Sequence, residues 1–152
     1  MESDGTSNGV CMNSGYLYVE LVNQSPETYH LAMSLERPEP EQSPNGRQLV
    51  YVARFRDIDA AFMHAGGKLR RRCKHPDTVT FVTELSVIIA TIEADGLKHE
   101  RIWLTDTLND KEMEAIATET QRLQNKAQNQ ELVWKMVGII AVVIFVLLSI
   151  AV

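Results

Sequence analysis

The sequence predicts an α+β fold: a small antiparallel sheet of three to four strands with two helices, followed by a long C-terminal helix that enters a membrane. Two observations support this fold class. Strand-like stretches come early in the chain and stretches with helical spacing come later, as is typical of α+β domains. The last seventeen residues, 136–152, carry no charged side chain. A helix of that length spans about 25 Å, which suits a hydrocarbon core.

Three strands are predicted in the first third of the chain. Residues 16–22 are rich in aromatic and aliphatic side chains, and residues 28–35 alternate with period two. A proline-rich connection then leads to a third strand over 48–55. Because sequential strands are usually neighbours, we expect these three to form an antiparallel meander. A short stretch over 100–105 is a candidate fourth strand.

Two helices are predicted after the third strand. Asp57 is the candidate N-cap of the first, whose apolar residues recur at three- and four-residue spacing, and Pro76 closes it. Asp77 is expected to cap a second helix that stops at Gly96. The β-branched residues at the start of this segment leave a strand open as the alternative over 77–93.

The last helix is predicted to begin at a capping box and to continue into the apolar segment. Asn109 is the N-cap candidate, and Glu112 three residues later completes the pattern. No proline or glycine follows until Gly138, and glycine is tolerated in membrane helices. Trp134 and Lys135 lie where membrane-interface anchors belong, with the ring among the headgroups and the ammonium group reaching outward.

These patterns divide the chain into four parts. They are a flexible tail over 1–14, a cytoplasmic α+β domain over 15–108, a juxtamembrane helical stalk over 109–131 and a transmembrane helix over 132–152. The first residues have neither the basic region nor the apolar run of a signal peptide. Basic residues precede the apolar segment and none follows it, so the N-terminal domain is expected in the cytoplasm. We therefore expect a single-pass, tail-anchored protein, and favour a bacterial inner membrane over an organelle membrane.

A dense basic cluster follows the first predicted helix. Its members are Lys68, Arg70, Arg71, Arg72 and Lys74. Cations near a helix C-terminus complement the helix dipole, which accounts for some of these residues. The alternative is contact with anionic lipid or with an acidic partner, because each Lys or Arg near an anionic surface contributes about 1 kcal/mol.

The stalk carries apolar residues at heptad positions mainly in its first half. Met113, Ile116 and Leu123 either pack on the domain or contact a partner. In the first case the Gln- and Asn-rich residues 124–130 form a solvated stalk. A partner contact, including a second copy of the chain, is the other interpretation.

Motifs for catalysis and metal binding are absent from the sequence. The histidines and cysteines lack the spacing of known zinc motifs, and Gly66-Gly67-Lys68 lacks the spacing of a phosphate loop. Cys11 and Cys73 are expected to be free thiols in a reducing cytoplasm. No catalytic residue, metal or cofactor is predicted. The net charge of -5 argues against nucleic acid as a partner.

The sequence thus predicts a protein that is not an enzyme. We expect an accessory, assembly or scaffolding subunit of a membrane-associated complex, with membrane lipid and another protein as partners. The alternative is a membrane-tethered enzyme or anionic-ligand-binding domain that uses the basic region around Arg70–Lys74, with Arg54 and Arg56 nearby. A large polar pocket would support the alternative, and an exposed apolar patch would support the contact function.

Overall fold

The computed structural model describes residues 13–22, 27–39 and 47–150, apart from the side chains at 75, 76, 147, 148 and 150. Cys11 and most of the predicted flexible tail lie outside the described residues. Within them the fold is α+β, as predicted. The strands are β1 Gly15–Leu21, β2 Thr28–Ser34, β3 Gln48–Phe55, β4 Cys73–His75, β5 Thr80–Val82 and β6 His99–Leu104. The helices are α1 Ile58–Leu69, α2 Leu85–Glu93 and α3 Asp110–Ile150.

The sheet is larger than predicted and is connected differently. The described residues form a six-stranded antiparallel sheet in the order β4-β5-β2-β1-β3-β6, where three to four strands were expected. The expected meander is also wrong, because β3 pairs with β1 and not with β2. β2 and β3 flank β1 on its two sides. β1 therefore lies inside the sheet, and Leu17 and Val19 are fully buried.

The segment after α1 corrects the prediction of a helix that starts at Asp77. α1 begins at the predicted cap, where the Asp57 carboxylate accepts a hydrogen bond from Ala60 N at 2.9 Å. It ends at Leu69, well before Pro76. The chain then forms β4, a 3-10 turn over Pro76–Thr78 and β5, and α2 starts only at Leu85. Val79 has a φ of 46°, a conformation that a β-branched residue does not adopt within a helix.

The helices pack in a layer on one face of the sheet. α1 contacts β1, β2 and β3, α2 packs against α1, and α3 packs against α2. The core between sheet and helices includes Tyr51, Phe55, Phe81 and Ile88, each no more than 2% exposed. Burial of such side chains stabilises a fold by about 1.5–3 kcal/mol each. None of the described helices packs on the opposite sheet face.

α3 is one continuous helix of 41 residues, about 60 Å long. It starts with the predicted capping box. Glu112 N donates to Asn109 Oδ1 at 2.9 Å, and Asn109 N donates to Glu112 Oε2 at 2.9 Å. The start of the helix and its capping residue are thereby fixed at the domain surface.

Candidate functional site

The first turns of α3 form a seam with α2. Ile116 is 2% exposed and belongs to the core of the domain. Leu123 is half-buried and Met113 is 39% exposed. Of the three predicted stalk-contact residues, Ile116 is therefore enclosed by this chain's own core. The partner contact itself stays a prediction, and the side chains free to make it are those on the outer side of the helix.

A partly buried polar group lies on the sheet side of this seam. Tyr51 is fully buried on β3, and its hydroxyl donates to Glu93 Oε1 at 3.4 Å. Arg101 on β6 makes an ion pair with the same carboxylate oxygen. Burial, followed by the neighbouring charge of Glu93, raises the pKa of Tyr51 far above its usual value. The three side chains join β3, α2 and β6, so the start of α3 rests on a rigid base.

The direction of α3 follows from the connection before it. β6 runs from His99 to Leu104, and α3 begins at Asp110, after a short turn. α3 then runs antiparallel to β6 and in the same direction as α2, because its start shares a cleft with the start of α2. Its residues from Met113 to Gln124 line another cleft with Glu93, the end of α2, and with Arg101. It leaves the domain at the end of the sheet where Gly15, Phe55 and His99 lie in register. We call this the exit end.

No other part of the described chain packs against the apolar half of α3. Trp134 is 74% exposed and Phe145 is 72% exposed. The apolar window of this helix is long enough to cross a membrane, and 0% of it is buried. At the predicted membrane interface, Lys135 pairs with Glu131 at 2.7 Å and so keeps its ammonium group on the polar side.

A cleft of about 540 Å³ opens at the exit end. Three exposed basic side chains, Arg54, Arg56 and Lys98, line it together with His99 and Glu100. Arg56 N donates to Lys98 O at 3.4 Å, which holds the end of β3 against the residue before β6. The imidazole of His99 stacks on Phe55, with ring centroids 4.9 Å apart. This stacking anchors the cleft to the core.

The predicted basic cluster lies elsewhere. Arg70, Arg71 and Arg72 form an exposed 3-10 turn before β4, the edge strand farthest from β6. Cys73 is in register with Phe81, and Phe81 is in register with Tyr29 near the start of β2. The start of β2 lies at the opposite end of the sheet from the exit end, because Tyr29 pairs with Leu21 at the end of β1. Contact of this cluster with lipid or with a partner stays a prediction.

Lys68, the first member of the cluster, is already engaged within the domain. Its ammonium group lies 3.2 Å from Asp95 Oδ2, and His64 Nδ1 lies 3.2 Å from the same oxygen. Burial raises the pKa of Asp95, but the hydrogen bonds from His64 and Lys68 outweigh it, so the pKa lies below its usual value. The three side chains connect α1 to the loop after α2.

A second buried carboxylate lies on the sheet face that no described helix covers. Glu20 is 5% exposed, and its Oε2 lies 3.4 Å from His30 Nδ1 and 3.5 Å from an Arg47 nitrogen. Burial lowers the pKa of His30, and the charge of Arg47 lowers it further. Glu20 works against both effects. The neutral imidazole is therefore favoured near pH 7.

The described residues assemble no reaction centre of a familiar type. They contain no group of three or more His, Cys, Asp or Glu side chains that could hold a metal ion. Cys73, the described cysteine, is a half-buried free thiol. Another cleft of about 520 Å³ lies where α3 starts, lined by polar groups such as Glu84, Thr105 and Lys111. There the Ser86 hydroxyl donates to Glu84 Oε2 at 3.4 Å, an exposed contact between residues two apart at the start of α2.

Sequence reasoning singled out Arg54 and Arg56 together with the basic region around Arg70–Lys74. The structure groups them with Lys98 and His99, and the basic cluster at Arg70–Arg72 lines a different part of the surface. Sequence reasoning did not predict that β3 pairs with β6. This pairing puts Phe55 opposite His99. The available signal was the basic residues Arg54 and Arg56 on either side of Phe55, and Lys98 directly before His99. No family model, curated protein or solved structure matches this chain.

Proposed function

We propose that this protein is a single-pass membrane protein whose cytoplasmic domain works by protein–protein contact, as an accessory, assembly or scaffolding subunit of a membrane-associated complex. The observation that carries the proposal is the division of α3. Ile116 is buried in the domain core, whereas the side chains from Trp134 to Val146 are exposed although most are apolar. One helix thus belongs to two environments.

The exposed apolar stretch requires an apolar environment, and its composition fits the hydrocarbon core of a bilayer. It contains no Asp, Glu, Lys, Arg or His between Met136 and Val146. A charged residue inside the hydrocarbon would cost several kcal/mol, so its absence suits insertion. The basic residues Arg122, Lys126 and Lys135 on the domain side favour a cytoplasmic domain.

The rigid junction between helix and domain supports a positioning role. The seam with α2 and the partly buried Tyr51–Glu93–Arg101 group connect α3 to the domain. Such a junction holds one surface at a set height and orientation above a membrane, which is what an assembly or scaffolding subunit requires. The polar stretch of α3 past the seam, including Gln124 and Lys126, is exposed and accessible to a partner.

Recovery of partners from gently solubilised membranes tests the contact function. Charge reversal at Lys126 changes an exposed side chain with no ion pair among the described residues. We expect K126E combined with R122E to reduce recovery of the partner. The matched control is K111E, a charge reversal near the start of the same helix. Equal recovery with all three proteins would remove the outer surface of α3 as the contact site.

Replacement of the reactive side chains separates contact from catalysis. If the protein works by contact, Cys73→Ser and His75→Gln should each leave partner recovery and cellular complementation intact. Loss of complementation by either variant, with the protein still folded and membrane-bound, would replace the contact function by a catalytic one.

One observation favours the alternative of an anionic-ligand-binding domain. Arg70, Arg71, Arg72 and Lys74 are exposed and make no ion pair with the described residues. Guanidinium groups bind carboxylate and phosphate in a bidentate manner, so a free cluster of them suits an anionic ligand. Saturable phosphate binding by the full chain in nonionic detergent that disappears in R70Q/R71Q/R72Q would support this alternative.

A further inference from the structure

We propose that the cleft at the exit end binds the headgroup of an anionic lipid in the same membrane that α3 crosses. The proposal rests on the membrane insertion proposed above and adds to it a lipid class and a set of residues. The recognising groups are Arg54, Arg56 and Lys98, and the recognised chemistry is a phosphate-bearing headgroup with a net negative charge.

The cleft faces the bilayer because it lies at the end of the domain from which α3 leaves. Gln124 is the last α3 residue that shares a cleft with Glu93 and Arg101 of the domain. Seven residues, 125–131, then precede the apolar run that begins at Leu132. In a continuous helix seven residues span about 10 Å. The exit end therefore faces the headgroup layer across a short polar spacer, while the opposite end of the domain points into the cytoplasm.

The charges in the cleft fit an anion. Arg54, Arg56 and Lys98 are exposed, and none of them makes an ion pair with the described residues. Glu100 is the carboxylate that lines the cleft with them. Three cations against one carboxylate leave a local positive excess in a protein whose net charge is -5. Two guanidinium groups on either side of Phe55 offer paired N–H donors, the arrangement that phosphate oxygens accept best.

Two of the nearby acidic residues have other partners. Asp57 caps α1 through its bond to Ala60 N, and Asp95 is held by His64 and Lys68. Glu100 in the cleft and Glu36 after β2 are exposed and make no ion pair with the described residues. Asp59, which likewise makes none, lies exposed in the first turn of α1. It lies at the N-terminus of α1, where the helix dipole already stabilises a negative charge.

The basic cluster at Arg70–Arg72 serves as a matched control. It carries the same number of positive charges as the cleft, but it lies at the far edge and the opposite end of the sheet. If lipid contact followed charge alone, the two sites would be equivalent. If lipid contact depends instead on the direction of α3, only the exit-end cleft can reach the headgroups.

Lipid retention by the full chain tests the proposal. The protein is extracted in micelles that contain equal amounts of phosphatidylglycerol and phosphatidylcholine, and native mass spectrometry counts the lipids that stay bound. We expect the wild type to prefer phosphatidylglycerol. We expect R54Q/R56Q/K98Q to lose that preference by about fivefold for each basic side chain removed, the effect of a cation beside an anionic surface.

Two further variants keep the result interpretable. R54K/R56K retains the charges but not the paired N–H donors, so it should show a preference between those of the wild type and R54Q/R56Q/K98Q, which separates binding from a folding defect. R70Q/R71Q/R72Q should behave as the wild type. The proposal is overturned if the wild type shows no preference, if R54Q/R56Q/K98Q keeps it, or if only R70Q/R71Q/R72Q loses it.

Membrane association is scored separately in the same preparations. R54Q/R56Q/K98Q should remain in the membrane fraction, because α3 holds the chain there without the cleft. If the wild type itself is found in the soluble fraction, the proposed function has failed. If the wild type is membrane-bound and shows no lipid preference, only the headgroup site has failed.

Discussion

The hydroxyl of Tyr51, which is fully buried, and the carboxylate of Glu93, which is half-buried, form a hydrogen bond of 3.4 Å between the sheet and the end of α2. Arg101 completes the group from β6. The Glu93 carboxylate thus has two partners within the domain, although the Arg101 side chain is 40% exposed. The hydrogen bond and the ion pair therefore connect the sheet to α2, and the start of α3 packs against α2.

The raised pKa of Tyr51 predicts how stability depends on pH. A phenol whose pKa is higher in the folded than in the unfolded protein contributes stability below pH 10, and this contribution is lost as pH rises above the unfolded value. The wild type should therefore lose thermal stability above about pH 10. Tyr18 and Tyr29 also have raised pKa values and contribute to the loss. Y51F should reduce the pH dependence measured by thermal melting, and an unchanged slope would contradict the assignment.

Removal of the α3 capping box should loosen the junction. N109A deletes the side-chain acceptor of Glu112 N and should lower the free energy of unfolding by about 1 kcal/mol. N109D keeps an acceptor oxygen at the N-cap and should restore most of this loss. Chemical denaturation of the full chain in nonionic detergent measures both variants. Equal stability of N109A and the wild type would show that the start of α3 depends on packing alone.

The close approach of Gly15 to its neighbours predicts a sharp contrast between glycine substitutions. A Cβ at Gly15 would lie 2.8 Å from Ser34 O and 3.2 Å from Ile58 Cβ, so G15A should be destabilising. Gly67 lies in α1, and a Cβ added there would meet nothing within 4 Å. G67A should instead stabilise the helix by up to about 1 kcal/mol. Melting temperatures of the two variants should shift in opposite directions, and shifts of the same sign would count against the packing of α1 on β1.

The lowered pKa of Asp95 predicts a loss of stability in acid. A carboxyl whose folded pKa lies below its unfolded value stabilises the protein above the unfolded value, and that contribution is lost as pH falls through the folded value. D95N should therefore be less stable than the wild type at pH 7, with the difference shrinking below about pH 4. D59N, which changes an exposed acidic residue of α1, is the control. A pH-independent difference for D95N would contradict the assigned ion pairs.

Sequence patterns predicted the structure correctly where the feature depends on residues only a few positions apart. β3 spans the predicted residues 48–55, Asp57 caps α1, and Asn109 and Glu112 form the capping box. Each of these features depends on side chains close together in the chain. β4 and β5 are three residues each, too short for a periodic pattern, and they exist because β5 pairs with the start of β2.

Long-range pairing explains what sequence reasoning missed at the candidate sites. The exit-end cleft brings Arg56 to Lys98, although α1, β4, β5 and α2 separate these residues along the chain. That meeting depends on the register of β3 against β6, and no local pattern encodes it. The burial of Ile116 likewise depends on the direction in which α3 runs along α2.

Alkaline carbonate extraction tests most directly the central claim that the apolar half of α3 crosses a membrane. Membranes from cells that express the full chain are extracted, and the chain is followed in the pellet and the supernatant, beside a variant that ends at Gln130. The account predicts that the full chain stays in the pellet, because lipid covers the exposed side chains from Trp134 to Val146, and that the shortened variant is soluble and folded. Release of the full chain into the supernatant without detergent would contradict it.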